Sequence, residues 1–320
     1  MEKYLITGFS GFVSRYFLEY LENNSIRAHV LGVDVLSPQF SLEAYANVQC
    51  AFEKIDLLDK TRVDNLIYQF QPDYVLHLAS FSSVAFSWKQ PVTSFLNNNN
   101  IFLNLLEKVR ALNLKCRILS VGSSEEYGNV DEADLPLTEE HRLNPLSPYA
   151  VARVSQEMLS RVYVDGYGLD IVMTRSFNHI GPRQREIFAV PSFVRQLVQM
   201  KKMGAREVEL RTGDVNVVRD FLDVRDVVAA YYLLLKNGTS GQVYNICGEN
   251  GVSLRNIINN IARCLDLQVK ISIEEKLLRP NDAKVVIGSS AKLREQTGWT
   301  AVIPLEQSLR DMIAYWESQN

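Results

Sequence analysis

The chain has 320 residues, of which 47% are hydrophobic and 22% are charged, and its formal net charge is −3. This composition predicts a globular protein that folds as one large domain or as two domains sharing a core. The slight negative charge argues against nucleic-acid and membrane-surface binding, because both functions need clustered basic residues.

The first half of the chain alternates short apolar segments with segments of helical pattern. Its predicted strands are apolar or β-branched and show little period-2 alternation, as expected of strands buried on both faces. Helices are predicted between them, including residues 11–24 and 91–113. This alternation predicts βαβ units and a doubly wound parallel sheet. The predicted strands are residues 3–7, 28–33, 74–79, 117–122 and 170–177.

The pattern becomes less regular after about residue 176. Loops rich in Arg, Gly and Pro alternate there with isolated helices, predicted at residues 190–203, 254–265 and 305–319. We interpret this half as a smaller, mixed α/β region on the substrate side, from which the chain partly returns to the first domain.

The cysteines and the start of the chain indicate a reducing compartment. The four cysteines are far apart in the sequence and have no CxxC spacing, so we expect small buried thiols, without disulfides or a metal site. No signal-peptide pattern opens the sequence, and no apolar run approaches membrane-spanning length. We therefore expect a cytoplasmic protein. The cysteines are Cys50, Cys116, Cys247 and Cys264.

A glycine loop follows the first predicted strand. In LITGFSGF, Gly8 and Gly11 permit a tight turn and let backbone N–H groups approach a pyrophosphate at the start of a helix. The spacing alone also fits an ordinary strand-to-helix turn. Asp34, which ends the second predicted strand, could bond an adenosine ribose and repel a 2′-phosphate, which favours NAD(H). Asp56, after the strand-like residues 49–55, is predicted to lie on the adenine side.

Hydroxyl and carboxyl groups follow the strand predicted at residues 117–122. Ser123 and Glu125 lie at its carboxyl end, where open α/β sheets bind ligands. A serine cluster at such a position also fits an ordinary turn. These residues therefore become candidates for chemistry only together with a partner elsewhere in the chain.

That partner is predicted in SPYAVAR, where Ser147 is a suitable helix N-cap and Pro148 a suitable first helical residue. Tyr149 then lies in the first turn, and Arg153 lies one turn later on the same face. Such a tyrosine often serves only in packing. A cation at this distance favours the phenolate, so Tyr149 becomes a candidate acid/base.

The glycine loop, the Ser123–Tyr149 pair and RDFLDVRDVV (219–228) together resemble the extended short-chain dehydrogenase/reductase superfamily, over essentially the whole chain. Members of that superfamily act on nucleotide-activated sugars. TRSFNHIGPRQ (174–184) and VGSSEEYG (121–128) resemble more narrowly the branch of GDP-6-deoxy-D-mannose reductase and GDP-mannose 4,6-dehydratase. The reductase is the more similar of the two in length and in the sequences of these motifs.

The resemblance implies a mechanism. Tyr149 would exchange a proton with the sugar O4, Ser123 would bond the same oxygen, and the nicotinamide would exchange hydride with C4. In the dehydratases a glutamate at the position of Glu125 removes the C5 proton, although the reductases resembled here also carry an acidic residue there. The family has a lysine at the position of Arg153, which binds the nicotinamide ribose and holds positive charge near the tyrosine.

The same resemblance divides the chain into a NAD-binding Rossmann-like domain, residues 1–175 with a returning segment near 213–250, and a mainly nucleotide-sugar-binding region, residues 176–320. Arginines suit the substrate side because guanidinium groups bind diphosphates in bidentate fashion. The predicted cofactor-binding residues are Gly8, Ser10, Gly11, Phe12, Val13, Asp34, Asp56, Leu57, Leu78, Ala79, Ser80, Val121, Tyr149 and Arg153. The predicted substrate-binding residues are Ser83, Asn178, Arg183, Val190, Arg211, Arg219 and Arg279.

The leading hypothesis is NAD(H)-dependent reduction of GDP-4-keto-6-deoxy-D-mannose by a homodimer. The alternatives are a GDP-mannose 4,6-dehydratase that uses Glu125, and a 4-dehydrogenase acting on a GDP-hexose or GDP-heptose. A non-catalytic nucleotide-binding protein of the same fold is a further alternative, for which Arg153 is the main support. Retention of Ser123 and Tyr149 argues against it, because a binding protein needs no acid/base pair.

Overall fold

The computed structural model describes residues 1–278 and 281–319. Its strands agree with the predicted ones to within two residues at each end, and the structure adds short strands in the second half. The strands are β1 Glu2–Thr7, β2 Ala28–Asp34, β3 Val48–Lys54, β4 Tyr74–His77, β5 Arg117–Ser123, β6 Asp170–Ser176, β7 Asn178–Ile180, β8 Glu207–Thr212, β9 Val218–Asp223, β10 Val243–Ile246, β11 Gly251–Ser253, β12 Gln268–Ile273 and β13 Val285–Val286.

The helices that the sequence predicts are all present, with ends that differ by at most two residues. The helix after Ser147 begins at Pro148, and the Ser147 hydroxyl accepts a hydrogen bond from the Ala150 N–H (3.1 Å), which confirms the predicted cap. The helices are α1 Phe12–Asn23, α2 Lys60–Phe70, α3 Val84–Lys89, α4 Pro91–Ala111, α5 Pro148–Tyr167, α6 Ala189–Lys202, α7 Val224–Asn237, α8 Leu254–Leu265, α9 Ala291–Thr297 and α10 Leu305–Ser318.

A seven-stranded sheet forms the centre of the molecule, in the order β3-β2-β1-β4-β5-β6-β10. Every neighbouring pair in it is parallel. Helices cover both faces: α1 and α7 pack on one apolar layer, and α2, α4 and α5 pack on the other. The predicted Rossmann-like doubly wound sheet is therefore confirmed. The strand order reverses beside β1, and a crevice for ligands opens at such a point, beyond the carboxyl ends of the strands.

The second half of the chain builds a smaller mixed layer beside this crevice. Strand β9 pairs with β7, β11 and β13, and β8 pairs with β12 in parallel. Helices α6, α8 and α10 enclose the apolar cluster of this layer. Two elements of the second half, α7 and β10, return to the central sheet. Helix α7 packs on α1, and β10 pairs with β6. The division into two domains at residue 175 stays a prediction.

The environment of the cysteines corrects one expectation from the sequence. Cys116 and Cys247 are buried as predicted, and Cys50 is partly buried, but Cys264 is exposed on α8. Its position follows from the amphipathic pattern of α8. The buried face of this helix leaves Cys264 on the solvent side and is formed by Ile257, Ile258, Ile261, Ala262 and Leu265. All four thiols are free. Among the described residues, no helix has the length and apolar character needed to cross a membrane.

Candidate active site

A cavity of about 2300 Å³ lies at the carboxyl ends of β1, β2, β4 and β5 and extends between the sheet and the second half of the chain. It is lined by every cofactor-binding and catalytic residue that the sequence predicts. It is also lined by the predicted substrate-binding residues, except Arg279, which lies outside the described residues. Candidates spread over more than 200 positions are thus brought to one crevice, although their individual roles stay predictions.

The glycine loop has the backbone that close approach to a ligand requires. Gly8 has φ +68°, and a Cβ there would lie 2.8 Å from the Ala79 nitrogen, so no other residue fits without displacing β4's loop. The Gly11 N–H donates to the Gly8 carbonyl (3.0 Å), and Gly11 is the N-cap of α1 without a side-chain cap. The first N–H groups of α1 are therefore available to an anion, as in pyrophosphate sites.

Asp34 ends β2, as predicted, and its carboxylate is held by the backbone. Oδ2 accepts from the Ser10 N–H (2.9 Å) and Oδ1 from the Leu36 N–H (3.2 Å). Two lone pairs per oxygen leave acceptor capacity for a ribose diol. Arg15 also lines this part of the cavity, and it pairs with Glu19 at 3.0 Å.

The adenine-side and nicotinamide-side candidates lie on successive loops of the crevice. Asp56 Oδ1 accepts from the Leu58 N–H (2.9 Å), and the Ala79 N–H donates to the Thr7 hydroxyl (3.1 Å). The Ser80 hydroxyl is buried without a partner among the described residues. A dinucleotide site is expected to have a buried hydroxyl without a protein partner and a glycine turn with no room for a Cβ. Both features are present, so the residues fit a nicotinamide cofactor.

Ser123 ends β5 and caps the short 3₁₀ turn Ser124–Glu126. Its Oγ accepts from the Glu125 N–H (3.2 Å), and its own N–H donates to Glu126 Oε1 (2.7 Å). The hydroxyl proton is therefore free to be donated into the cavity, since the bond from Glu125 uses only a lone pair. Glu125 itself is partly exposed and lines the cavity.

Tyr149 and Arg153 lie one turn apart near the start of α5, and both are nearly buried, with exposures of 8% and 4%. The Arg153 guanidinium carbon lies 5.2 Å from the centroid of the Tyr149 ring. Arg153 Nη1 donates to the Val121 carbonyl (3.1 Å) at the end of β5 and to Gln156. The cation is thus fixed against the tyrosine, as the spacing of the two residues predicts.

The residues predicted to bind the substrate differ in their surroundings. Val190 is buried in α6, and the Ser83 hydroxyl caps α3 by accepting from the Phe86 N–H (3.2 Å). Asn178 opens β7, next to His179, whose ring stacks on Phe12 with centroids 6.2 Å apart. Burial lowers the pKa of His179, which favours the neutral form of the ring that stacks on Phe12.

Three arginines on the substrate side differ in how closely a carboxylate pairs with their charge. Arg183 has φ +69° and lies 3.7 Å from Glu19. The Arg211 side chain is 68% exposed and 3.5 Å from Glu274. Arg219 is buried and bonded to Asp282 at 2.6 Å, so its charge is already paired where it reaches the cavity.

Sequence reasoning missed the residues that support these groups. Glu126 holds the Ser123 backbone, and Gln156 holds Arg153 while also donating to the Ser120 hydroxyl (2.8 Å). The only available signal for Gln156 was its position three residues after Arg153 on the same helix. Nothing in the sequence marked Asp282 as the partner of Arg219, since the two lie 63 residues apart.

The family model described as GDP-mannose 4,6 dehydratase matches residues 5–312. The chain belongs to this family. This family member is 33% identical over 318 residues to GDP-6-deoxy-D-mannose reductase of Pseudomonas aeruginosa, a match that covers 99% of this chain and 98% of the relative. The resemblance predicted from the motifs is thereby confirmed, and the chain is an enzyme of nucleotide-sugar chemistry.

Solved structures agree with this assignment. RMD from Pseudomonas aeruginosa complexed with NADPH is 32% identical and superposes with a TM-score of 0.84, covering 99% of each chain. The UDP-glucose 4-epimerase of Thermus thermophilus in complex with NAD is 28% identical, with a TM-score of 0.84 and 99% coverage of each chain. Relatives of this fold therefore bind nicotinamide dinucleotides of both kinds.

Proposed function

We propose that this protein reduces the 4-keto group of GDP-4-keto-6-deoxy-D-mannose with NADH. The observation that carries the proposal is the Tyr149–Arg153 pair, which lines the same cavity as Ser123 and the glycine loop. A bound nicotinamide would supply the hydride that reaches C4. The Tyr149 hydroxyl would give its proton to O4, Ser123 would donate a hydrogen bond to the same oxygen, and Arg153 would stabilise the negative charge left on the phenol.

The test of this proposal is a substrate comparison. The purified protein would be incubated with GDP-4-keto-6-deoxy-D-mannose and NADH, and with GDP-mannose or a GDP-heptose and NAD⁺. We expect rapid NADH oxidation with the 4-keto sugar, with a 4-hydroxyl product by NMR. Oxidation of GDP-mannose or GDP-heptose to a stable 4-keto sugar, without turnover of the 4-keto-6-deoxy substrate, would assign the dehydrogenase alternative.

The cofactor preference follows from Asp34. Its carboxylate ends β2 beside the glycine loop, so a 2′-phosphate would meet a negative charge there. We expect NAD(H) to bind more tightly than NADP(H), and Asp34→Ala to narrow the difference. Calorimetric titration with both cofactors measures the two affinities. Asp56→Ala, which also removes a carboxylate from the cavity, is the matched control. Equal or tighter NADP(H) binding by the wild type, as the NADPH complex of RMD would suggest by analogy, would contradict the ribose assignment.

The role of Glu125 distinguishes reduction from dehydration. It lines the cavity two residues after Ser123, at the position of the C5 base in the dehydratases that the motif resembles. We expect no net loss of water from GDP-mannose, and no solvent deuterium at C5 of a bound sugar nucleotide. Both are measured by mass spectrometry and NMR in D₂O. Exchange at C5 that Glu125→Gln abolishes would favour the dehydratase alternative.

We propose that the active protein is a homodimer joined through α4 and α5. Each of these helices exposes large apolar side chains. On α5, Val151, Met158 and Val162 are 44%, 41% and 56% exposed and recur at helical spacing on one face. On α4, Val92 and Phe95 are 68% and 37% exposed. A symmetric contact of two helices from each protomer would cover both stripes.

The assembly is tested by light scattering at micromolar concentration. We expect the mass of a dimer for the wild type and a monomer for Val162→Asp, because a charge would be buried without a partner in the contact. Val302→Asp is the matched control, since Val302 is 73% exposed and lies outside α4 and α5. A monomeric wild type, or equal dissociation by both variants, would argue against this interface.

A further inference from the structure

A second glutamate, Glu126, lies beneath Ser123 and has no role in the mechanism above. Its side chain is fully buried, and Oε1 accepts the Ser123 N–H at 2.7 Å. Oε2 is buried without a hydrogen-bond partner among the described residues. The space for this carboxyl is made by Gly122, where an added Cβ would lie 2.5 Å from Oε1. The end of β5 is thus shaped around a buried carboxyl.

The charges around Glu126 come from two packed elements, α5 and β6. On α5, Glu157 forms a bidentate pair with Arg175 of β6, with both N–O distances at 2.9 Å. Arg153 of α5 makes no salt bridge within the described part of the chain, and its Nε is buried without a partner. Among the described residues, Glu126 is therefore a carboxyl without a cation partner, and Arg153 is a cation without a carboxyl partner.

The protonation of Glu126 is balanced between these groups. Burial and the negative charge of Glu157 raise the pKa of Glu126, against the opposing effects of the Ser123 N–H, Arg175 and Arg153. Because its pKa is raised, the carboxyl stays neutral to higher pH than an exposed glutamate does, and it becomes charged as the pH rises further. Its neutral form leaves the positive field of Arg153 undiminished at Tyr149, whereas its ionised form opposes that field.

We propose that Glu126 is a positioning residue that holds the Ser123 backbone for hydrogen bonding to O4 and sets the field of Arg153 by its own charge. This proposal rests on the proposed function, since it assigns Glu126 a part in the same reduction. Two hydrogen bonds fix the orientation of Ser123 Oγ. Glu126 accepts a bond from the Ser123 N–H, and Ser123 Oγ accepts a bond from the Glu125 N–H. Ionised Glu126 would slow reduction by opposing the positive charge that stabilises the reacting oxygens.

Two substitutions separate the two parts of the proposal. Glu126→Leu removes the acceptor of the Ser123 N–H, so we expect kcat to fall ~10-fold or more with KM changed less than ~2-fold. Glu126→Gln keeps an acceptor and stays uncharged. We expect it to retain kcat within ~3-fold at neutral pH and to shift the alkaline fall of the pH–rate profile to higher pH. Wild-type kcat in Glu126→Leu, or an unshifted profile in Glu126→Gln, would overturn the corresponding part.

A measurement without turnover keeps the test independent of the substrate assignment. Infrared difference spectra of the wild type should show a neutral carboxyl band that persists above the usual titration range of a glutamate, disappears as the pH is raised further and is missing from Glu126→Gln. Asp220→Asn is the matched control. Asp220 is a buried carboxyl that accepts the Gly248 N–H (2.7 Å) away from Ser123, and burial raises its pKa to about 6. Its variant should retain the Glu126 band.

The outcomes of these experiments are distinguishable. Absence of the carboxyl band from the wild type would overturn the charge part of the proposal, whatever the substrate. Failure of the wild type to reduce any 4-keto sugar would instead overturn the proposed function while leaving the band in place. If Glu126→Leu does not fold, the pH profile and the spectrum of Glu126→Gln still decide the proposal.

Discussion

Tyr149→Phe is expected to lower kcat for reduction by about 10²–10⁴-fold, the usual contribution of a positioned acid/base group. The substitution removes only the phenol oxygen, and the ring that packs 5.2 Å from the Arg153 guanidinium is retained. Because Tyr149 is 8% exposed and lies in the first turn of α5, water has little access to replace the missing proton donor. Cofactor binding should therefore survive while the chemical step fails.

Single-turnover oxidation of bound NADH measures this step directly, and titration of the cofactor measures binding. Tyr167→Phe is a matched control, because Tyr167 ends the same helix and is 54% exposed. It should leave the rate unchanged. Wild-type turnover by Tyr149→Phe would mean that another group donates the proton. Absence of turnover in the wild type itself, with intact cofactor binding, would mean that the 4-keto sugar tested is not its substrate.

Arg153→Met is expected to lose most activity, whereas Arg153→Lys should retain or improve it. An arginine can bind the nicotinamide ribose and hold positive charge near Tyr149, as the family lysine does, because its guanidinium group stays protonated and offers several donors. It cannot release a proton, so a relay through this cation to solvent is impaired. Proton exchange in the wild type should accordingly be slower than in Arg153→Lys.

The burial of Arg153 adds weight to this expectation. Arg153 is 4% exposed and its guanidinium is bonded to the Val121 carbonyl at 3.1 Å, so its charge acts through a poorly solvated site. Solvent isotope effects and rates for wild type, Arg153→Lys and Arg153→Met test the three-way order. Arg161→Met, a loss of a partly exposed arginine on the same helix, is the control. If Arg153→Met matched the wild type, the cation would serve packing alone.

The sequence by itself determined the elements whose signals are local. Gly8 and Gly11 mark the turn into α1, and Ser147 with Pro148 marks the start of α5, because a turn or a cap depends on atoms only a few residues apart. The spacing of Tyr149 and Arg153 likewise predicted their contact, since residues four apart on a helix share a face. The alternation of strands and helices also predicted the parallel sheet, because the pattern of each element is local to its own segment.

Only the tertiary structure decided which distant groups meet these local ones. Glu126 turns inward under Ser123 because Gly122 leaves room for it, and Arg153 finds its acceptor at Val121, on a different element. Arg219 is neutralised by Asp282, which comes from a loop 63 residues away. Such pairings depend on the packing of α5 and β9 against other layers, and no periodicity or cap in the sequence encodes a distance between separate elements. Local chemistry therefore predicted where the reacting groups are, while long-range packing determined how each is held and charged.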